Sequence, residues 1–282
     1  MIVIADSGST KTDWRIILPN GDVKEFTTKG LNPFFVNKDD YLEALTHFFP
    51  KEFDSTQVKK VFFYGAGCAT KERSEVAIAG LQKFFQNSTI CVYSDVFAAA
   101  RAVFGNQSGI TVILGTGTNV GYYNGSEVTS YTPSLGYAIG DEGSGAYLGK
   151  KILRSWLYSE LPADLAILFE KQYGLNLSKV LHSLYSEPMP SRFLAGFMPF
   201  ILEHKNHEFI ANVIDKSFSK LVKRHIAKMP MFPTSPVGVV GSVGILFSQN
   251  LAKAIAGAGG IIVKTVQFPI DELCLYHSSN DL

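Results

Sequence analysis

The chain has 282 residues, of which 46% are hydrophobic and 18% charged, as in a well-packed globular protein with one large or two modest domains. Its 26 basic and 25 acidic side chains nearly cancel, so composition argues against nucleic-acid or membrane binding and favours a small-molecule site. Three separated cysteines without zinc-type spacing, a strand beginning at residue 2 and no apolar run of membrane-spanning length predict a cytoplasmic protein.

A strand, a turn and a second strand open the chain. The apolar residues 2–5 end in Asp6, and a turn of glycine and hydroxyl residues precedes the apolar residues 14–18. Gly8 permits positive φ, and the amides and hydroxyls of Ser7–Thr12 can surround an anion. An ordinary hairpin turn is the alternative interpretation, because glycine and serine are common in turns.

Helices and strands then alternate. An Asn-Gly pair at 20–21 predicts a hairpin into a third strand. The predicted elements that follow are a strand at 23–28, a helix at 41–49, a strand at 60–64, a helix at 71–85, a strand at 89–94 and a helix at 96–104. The order β-β-β-α-β-α-β-α indicates a mixed sheet with helical crossovers.

The opening pattern returns about a hundred residues later. A buried strand at 110–114 precedes a second turn of glycine and hydroxyl residues at 115–119. A strand at 120–123 follows, and a second Asn-Gly pair leads to a third strand at 127–131. Because strand, turn and Asn-Gly recur in the same order, the sequence predicts a duplicated topology.

The remaining sequence is mainly helical. The run Gly140–Gly145 opens a helical block, and a third glycine turn lies at 241–244. The predicted helices are at 146–157, 163–173, 177–185, 191–204 and 207–228. Short strands at 237–240 and 261–268 flank a helix that ends near 256, and a terminal helix begins at Pro269 and ends soon after 276.

These motifs together resemble one superfamily over essentially the whole chain. They are Asp6–Thr12, Gly30–Asn32, Ser94–Asp95, Gly115–Asn119, Gly140–Gly145 and Val240–Val243. The chain resembles the actin/hexokinase/Hsp70 superfamily of ATP-dependent phosphotransferases. Within it, the chain is most similar to the BadF/BadG/BcrA/BcrD-type group that includes N-acetylglucosamine kinases.

The resemblance implies an α/β fold with two RNase H-like (actin-like ATPase) domains, a cleft between them and a helical insertion in the second domain. The implied boundaries are 1–107 for the first domain, 108–268 for the second with its insertion at about 144–232, and 269–282 for a terminal helix that packs back on the first domain. The chain lacks the Walker pattern, so an ATP site must use another cradle.

The resemblance also implies a site for ATP and Mg²⁺. The first turn would hold the β- and γ-phosphates, with Asp6 near the metal ion, and the second turn would contact the phosphates from the other domain. The implied nucleotide-binding residues are Asp6, Gly8, Ser9, Thr10, Lys11, Thr12, Gly115, Thr116, Gly117, Thr118, Gly241 and Ser242. The first turn carries fewer glycines than in many relatives, although Gly8 keeps its flexibility.

Asp95 is the candidate catalytic base. It follows a predicted strand, where open α/β sheets place ligands, and the matching aspartate of similar sugar kinases accepts the proton of the attacking hydroxyl. The alternative is that Asp95 only caps the next helix. The resemblance assigns sugar binding to Asn32, Gly67, Asn119 and Asp141, for which loop, turn and cap roles are the alternatives.

Two other functions stay open at this point. An activator ATPase of a radical dehydratase would need cysteines for an iron–sulfur cluster, and Cys68 and Cys91 stand in no cluster motif. A sugar-sensing regulator would carry a DNA-binding segment before the first strand, for which we expect no room. The six histidines show no pairing pattern and are interpreted as structural or surface residues. A homodimer is expected only at the level of the family.

Overall fold

The computed structural model describes residues 1–8, 11–50 and 53–280. The strands are β1 (Ile2–Ser7), β2 (Lys11–Ile17), β3 (Val23–Lys29), β4 (Lys60–Gly65), β5 (Thr89–Ser94), β6 (Gly109–Leu114), β7 (Thr118–Tyr123), β8 (Val128–Thr129), β9 (Val237–Val240) and β10 (Ile262–Val266). The helices are α1 (Lys38–Phe48), α2 (Lys71–Phe84), α3 (Asp95–Phe104), α4 (Gly136–Ile139), α5 (Gly145–Leu157), α6 (Ala163–Tyr173), α7 (Leu177–Tyr185), α8 (Pro190–Ala195), α9 (Met198–Glu203), α10 (Glu208–Arg224), α11 (Ser242–Leu246), α12 (Ser248–Ala256) and α13 (Pro269–Asn280).

The chain divides into two units. The first contains Met1–Gln107, Gly125–Val128 and the chain from Phe268, and the second contains Ser108–Asn124 and Thr129–Gln267. Each unit is built on one five-stranded sheet with helices, so the predicted α/β fold class is confirmed.

The sheet of the first unit has the order β3-β2-β1-β4-β5. The β1–β2 and β2–β3 pairs are antiparallel, and the β1–β4 and β4–β5 pairs are parallel. Because the apolar residues of β1 alternate between the two faces, Val3 and Ala5 pack under α1 and α2 while Ile2 and Ile4 pack under α3 and α13. The parallel strands therefore end at one edge of a sheet that is covered on both faces.

The terminal helix is slightly longer than predicted. It runs to Asn280, because Ile270, Leu273 and Cys274 are buried against β1, β4 and α3. His277 is 1% exposed, and its Nε2 lies 2.8 Å from the hydroxyl of Tyr64. The helix therefore ends about one turn past residue 276, close to the predicted end, and the contacts that hold its last turn are long-range.

The sheet of the second unit has the order β10-β9-β6-β7-β8. As in the first unit, an antiparallel hairpin, β6–β7, adjoins parallel strands. The two sheets thus share the hairpin-plus-parallel arrangement that the repeated turns predicted. The predicted strand at 127–131 shortens to β8, which has only Val128–Thr129.

Helices α4 to α10 separate β8 from β9 and form a large apolar core with β6, β7 and β9. The helix predicted at 191–204 is two helices, α8 and α9, and the one predicted at 207–228 ends as α10 at Arg224. Helices α5 and α8 approach so closely that a Cβ on Gly149 would lie 1.9 Å from the carbonyl oxygen of Leu194. Among the described ranges, no helix combines the length and the apolar character needed to cross a membrane.

Candidate functional site

Three turns of the first unit lie at the carboxyl edge of its sheet. Strands β1 and β4 are parallel, as are β4 and β5, and they end in register at Ser7, Gly65 and Ser94. Gly8 follows the first strand, the turn Gly65–Cys68 the second, and Asp95 the third. Parallel strands direct ligands to this edge, so these turns form the candidate site of the first unit.

Asp95 is the first residue of α3 and is not its cap. Ser94 caps the helix, because its hydroxyl accepts a hydrogen bond from the amide of Phe97, whereas the Asp95 carboxylate accepts one from the amide of Val96. The interpretation of Asp95 as the helix cap is therefore wrong. Burial raises the pKa of Asp95 to about 6, against the lowering effect of the hydrogen bonds from Val96 and its own amide.

Asp6 carries a second perturbed carboxyl group. Burial, followed by the negative charges of Asp95 and Asp13, raises the pKa of Asp6 to about 7, and Lys11 acts in the opposite direction. Asp13 is its cross-strand neighbour and forms an ion pair with Lys11 at 2.7 Å. Acidic groups whose charges disfavour one another fit a divalent cation, because the ion would relieve that repulsion.

The first glycine turn uses several of its polar groups internally. The Ser7 hydroxyl lies 2.7 Å from that of Thr12 and accepts a hydrogen bond from the amide of Leu31. Thr12 is fully buried and donates to the carbonyl of Lys29, and the amide of Gly8 donates to the carbonyl of Lys11. The predicted ligands Ser9 and Thr10 lie outside the described residues.

Asn32 and Gly67 come together at the end of β4. Gly67 has φ +84°, and a Cβ there would lie 2.4 Å from the Oδ1 atom of Asn32. That same oxygen accepts a hydrogen bond from the amide of Phe34. Cys68 is 4% exposed; burial, with a further contribution from the charge of Asp95, raises its pKa to about 12. The loop of Asn32 and the turn of Gly67 therefore meet, and Asp95 follows the neighbouring strand β5 at the same edge of the sheet.

In the second unit, Asp141 lies against the second glycine turn. A Cβ on Gly117 would lie 3.0 Å from the Oδ2 atom of Asp141, and the hydroxyl of Thr118 donates to the carbonyls of Asp141 and Glu142. The amides of Gly145 and Ala146, at the start of α5, donate to the carbonyls of Gly115 and Thr116. In the described part of the chain, the amides of Thr116 and Gly117 have no acceptor, so both can donate to an anion.

The backbone at Asp141 is unusual. It has φ +60°, which non-glycine residues seldom adopt, and its side chain is 8% exposed. Burial raises its pKa, against a hydrogen bond from Thr118 and the charge of Lys150. Strained residues of this kind cluster at functional sites, so this conformation supports a functional role for Asp141.

The side chain of Glu142 anchors the turn that carries Asp141, a role that the sequence did not predict. Its buried carboxylate pairs with the guanidinium of Arg224 and lies 3.1 Å from Nε2 of His225, whose Nδ1 lies 2.9 Å from the Thr132 hydroxyl. Burial alone would raise the pKa of Glu142, but the hydrogen bonds from His225 and Arg224 lower it overall. Residues about 80 positions apart leave no local pattern, so nothing in the sequence identified these partners.

The third glycine turn approaches the same edge of the second sheet. Gly241 has φ +115°, and a Cβ there would lie 2.4 Å from the carbonyl oxygen of Leu114 at the end of β6. Ser242 begins α11, and Asn119 lies on β7 opposite Ile113. The predicted residues 115–119, 141 and 241–242 thus gather around the end of β6.

The chain is similar to several solved structures over nearly its full length. No protein-family model and no curated protein sequence gives a significant match. A Porphyromonas gingivalis protein, provisionally described as an N-acetylglucosamine kinase, is 35% identical over 100% of both chains, with a TM-score of 0.92. A Chromobacterium violaceum protein of the same provisional description is 16% identical over 98% of both chains, with a TM-score of 0.73.

A third solved structure shares the fold. It is a Streptomyces griseus glucokinase in complex with glucose and AMPPNP, 16% identical over 94% of this chain and 93% of its own, with a TM-score of 0.53. The narrower resemblance to the BadF/BadG/BcrA/BcrD-type group stays a prediction. The chain belongs to the family of the Porphyromonas gingivalis protein, and it has the actin-like ATPase fold.

Proposed function

We propose that the protein is an ATP-dependent kinase that phosphorylates a hydroxyl group of an amino sugar, N-acetylglucosamine or a near relative. One observation carries the proposal: Asp95, with a pKa of about 6, stands at the carboxyl edge of the sheet, where β5 ends in register with β4 and the turn that contains Gly67 follows β4. The family resemblance supports the same assignment, because the relative at 35% identity is provisionally described as such a kinase.

Asp95 acts as the general base in this proposal. At neutral pH its carboxylate is mostly ionised, yet its pKa is high enough for it to accept a proton effectively. It takes the proton of the sugar hydroxyl while that oxygen forms a bond to the γ-phosphorus of ATP. The bond from this phosphorus to the bridging oxygen breaks, and ADP leaves with that electron pair.

The glycine turns bind the nucleotide. The amides of Thr116 and Gly117 donate to phosphate oxygens, and Gly8, Lys11, Gly241 and Ser242 are proposed as further contacts on the basis of the family resemblance. The resemblance includes Thr12 among these contacts, but Thr12 is fully buried inside β2 and its hydroxyl is already bonded to Ser7 and Lys29, so it would support the turn without touching the nucleotide. Preorganised donors of this kind stabilise the charge that develops on the transferred group.

Asp6 fits the role of a Mg²⁺ ligand. Its pKa of about 7 reflects burial and two neighbouring carboxylates, a repulsion that a bound cation relieves. When bound, Mg²⁺ would neutralise phosphate charge. The residues proposed to bind the sugar are Asn32, Gly67, Asn119 and Asp141, of which Asn32 and Asp141 are buried polar side chains.

An ADP-release assay with a panel of amino sugars tests the proposal. Asp95→Asn should lower turnover by about 10²-fold or more and leave ATP binding largely unchanged. Asp22→Asn, in the exposed turn between β2 and β3, is the matched control and should retain activity. Near-normal turnover of Asp95→Asn would show that Asp95 is not the general base.

The same assay separates the alternatives. ATP binding without phosphorylation of any amino sugar would favour a non-catalytic binding protein. ATP hydrolysis without an acceptor, in a coloured protein with bound iron, would favour the activator ATPase. Cys68 and Cys274 are buried in different cores of the first unit, so no contact among the described residues favours the activator ATPase hypothesis.

A further inference from the structure

A basic patch lies on helices α5 and α10 of the second unit, and nothing in the proposed reaction uses it. We define the basic patch as Lys150, Lys151 and Arg154 on α5 with Lys220 and Arg224 on α10. Its side chains surround the ring of Tyr147. The Nζ atoms of Lys150 and Lys151 lie 5.6 and 5.1 Å from the ring centroid, and Lys220 donates to the Tyr147 hydroxyl at 3.4 Å.

The patch has few counter-charges. Arg224 is paired with Glu142, and the Nζ of Lys150 donates to the carbonyls of Tyr137 and Ala138. Within residues 1–8, 11–50 and 53–280, Lys151, Arg154 and Lys220 form no ion pair. Arg154 and Lys220 are exposed and Lys151 is half-buried, so an anion can reach all three.

These cations repel one another. Burial, followed by the charges of Arg154, Lys220, Lys150 and Arg224, lowers the pKa of Lys151. Burial and Arg154 likewise lower the pKa of Lys150, against the charges of Asp141 and Glu142. A patch held together against such repulsion gains stability when an anion binds, because the anion replaces like-charge contacts with favourable ones.

The basic patch extends away from the second glycine turn. Helix α5 starts at that turn, where the amide of Gly145 donates to the carbonyl of Gly115. With a rise of about 1.5 Å per residue, Lys151 lies roughly 9 Å and Arg154 roughly 13 Å further along the helix axis. Lys150 and Arg224 reach back to Asp141 and Glu142 beside the turn, whereas Lys151 and Arg154 are displaced along the helix from the phosphates that the turn itself can bind.

We propose that the basic patch binds a phosphorylated small molecule. A phosphate ester concentrates about two negative charges and several acceptors in one small group, which matches cations gathered on two facing helices. The ligand is either a nucleotide or a sugar phosphate, because both carry this group. The proposal requires binding only and so stands independently of the kinase assignment.

Calorimetric titration with inorganic pyrophosphate in metal-free buffer tests the proposal. The double variant Lys151→Gln/Lys220→Gln should weaken binding about tenfold or more, because each lysine lost removes a charged hydrogen bond. The control Lys171→Gln/Lys253→Gln removes the same two charges from exposed positions on α6 and α12 and should change affinity little. The charge-keeping variant Lys151→Arg/Lys220→Arg should retain binding.

Three results would overturn the proposal. They are the absence of pyrophosphate binding to the wild-type protein, equal losses in the two glutamine variants, and unchanged affinity in the patch variant. Competition with ADP and with N-acetylglucosamine 6-phosphate, measured on the wild-type protein and on the Lys151→Gln/Lys220→Gln variant, then identifies the source of the phosphate, since displacement that only the wild-type protein shows belongs to the patch and not to the glycine turns. Failure of both competitors would also count against a small phosphorylated ligand.

Discussion

Asp6 near the end of β1 and Asp95 at the start of α3 both have a raised pKa, and the charge of Asp95 contributes to the shift of Asp6. The pKa of Asp6 reaches about 7, while burial alone raises that of Asp95. Both groups therefore favour a partner that compensates their charge, which fits a cation beside Asp6 and a proton to be accepted by Asp95.

Catalysis should depend on pH through Asp95. The base must be ionised, so turnover should fall as pH decreases through about 6, the pKa of this group. A pH–rate profile at saturating ATP and sugar measures this, with protein integrity checked at each pH. A profile that stays flat through pH 6 would show that another group accepts the proton.

Asp6→Asn should stabilise the metal-free protein at pH 8 while abolishing activity. The folded-state pKa of Asp6 is raised above 3.8, so the wild-type protein loses stability as pH rises from that value through about 7. Asparagine avoids this cost. The full shift corresponds to about 4 kcal/mol at about 1.4 kcal/mol per unit, and because Asp6 is only partly buried and solvent screens its charge, we expect a gain of about 1–3 kcal/mol in unfolding free energy.

Urea unfolding of both proteins at pH 8 and at pH 4 checks this sign. The stabilisation should nearly vanish at pH 4, where Asp6 of the folded wild-type protein is already protonated. A gain that is equal at both pH values would mean that charge repulsion is not its cause.

Gly67→Ala should impair sugar binding more than nucleotide binding. The added Cβ would meet Asn32 at 2.4 Å and Phe34 at 2.8 Å, and the residue has φ +84°. We expect a loss of about 1–3 kcal/mol in stability and a higher KM for the sugar. Gly174→Ala, at φ +53° with nothing within 4 Å, measures the cost of backbone strain alone.

The two glycine variants together identify the cause. If Gly67→Ala raises KM for ATP as much as KM for the sugar, the contact with Asn32 does not define a sugar site. If Gly174→Ala loses as much stability as Gly67→Ala, strain rather than contact explains the loss of stability.

Glu142→Gln should loosen the turn that carries Asp141. Hydrogen bonds from His225 and Arg224 keep the pKa of Glu142 below its usual value, so its contribution to stability is present at neutral pH and is lost as pH falls through that lowered pKa. We expect the variant to lose about 1–3 kcal/mol at pH 7, measured by urea unfolding.

Its control is Glu170→Gln, which removes an exposed charge from α6 and should change stability by less than about 0.5 kcal/mol. Equal stability of Glu142→Gln and the wild-type protein would show that Arg224 and His225 do not support the turn. A loss of stability with an unchanged KM for the sugar would remove Asp141 from the sugar site.

Local sequence determined much of the fold. Apolar runs and Asn-Gly pairs placed the hairpins β1–β2–β3 and β6–β7, and the recurrence of a glycine turn after β1 and β6 revealed the duplicated topology. These features depend on residues within one or two turns of each other, so they can be read along the chain. The place of Asp95 after β5 followed from the same short-range pattern.

Tertiary structure decided what those residues touch. The Thr12 hydroxyl donates to the carbonyl of Lys29 within the first sheet, and α13 continues to Asn280 because His277 and its neighbours are buried. Glu142 pairs with Arg224 and His225, which lie about 80 residues away in the sequence. The pKa values of Asp6 and Asp95 likewise depend on burial and on charges from other strands. Desolvation and long-range pairing arise only when the chain is folded, so composition and spacing determined the scaffold while packing determined the chemistry.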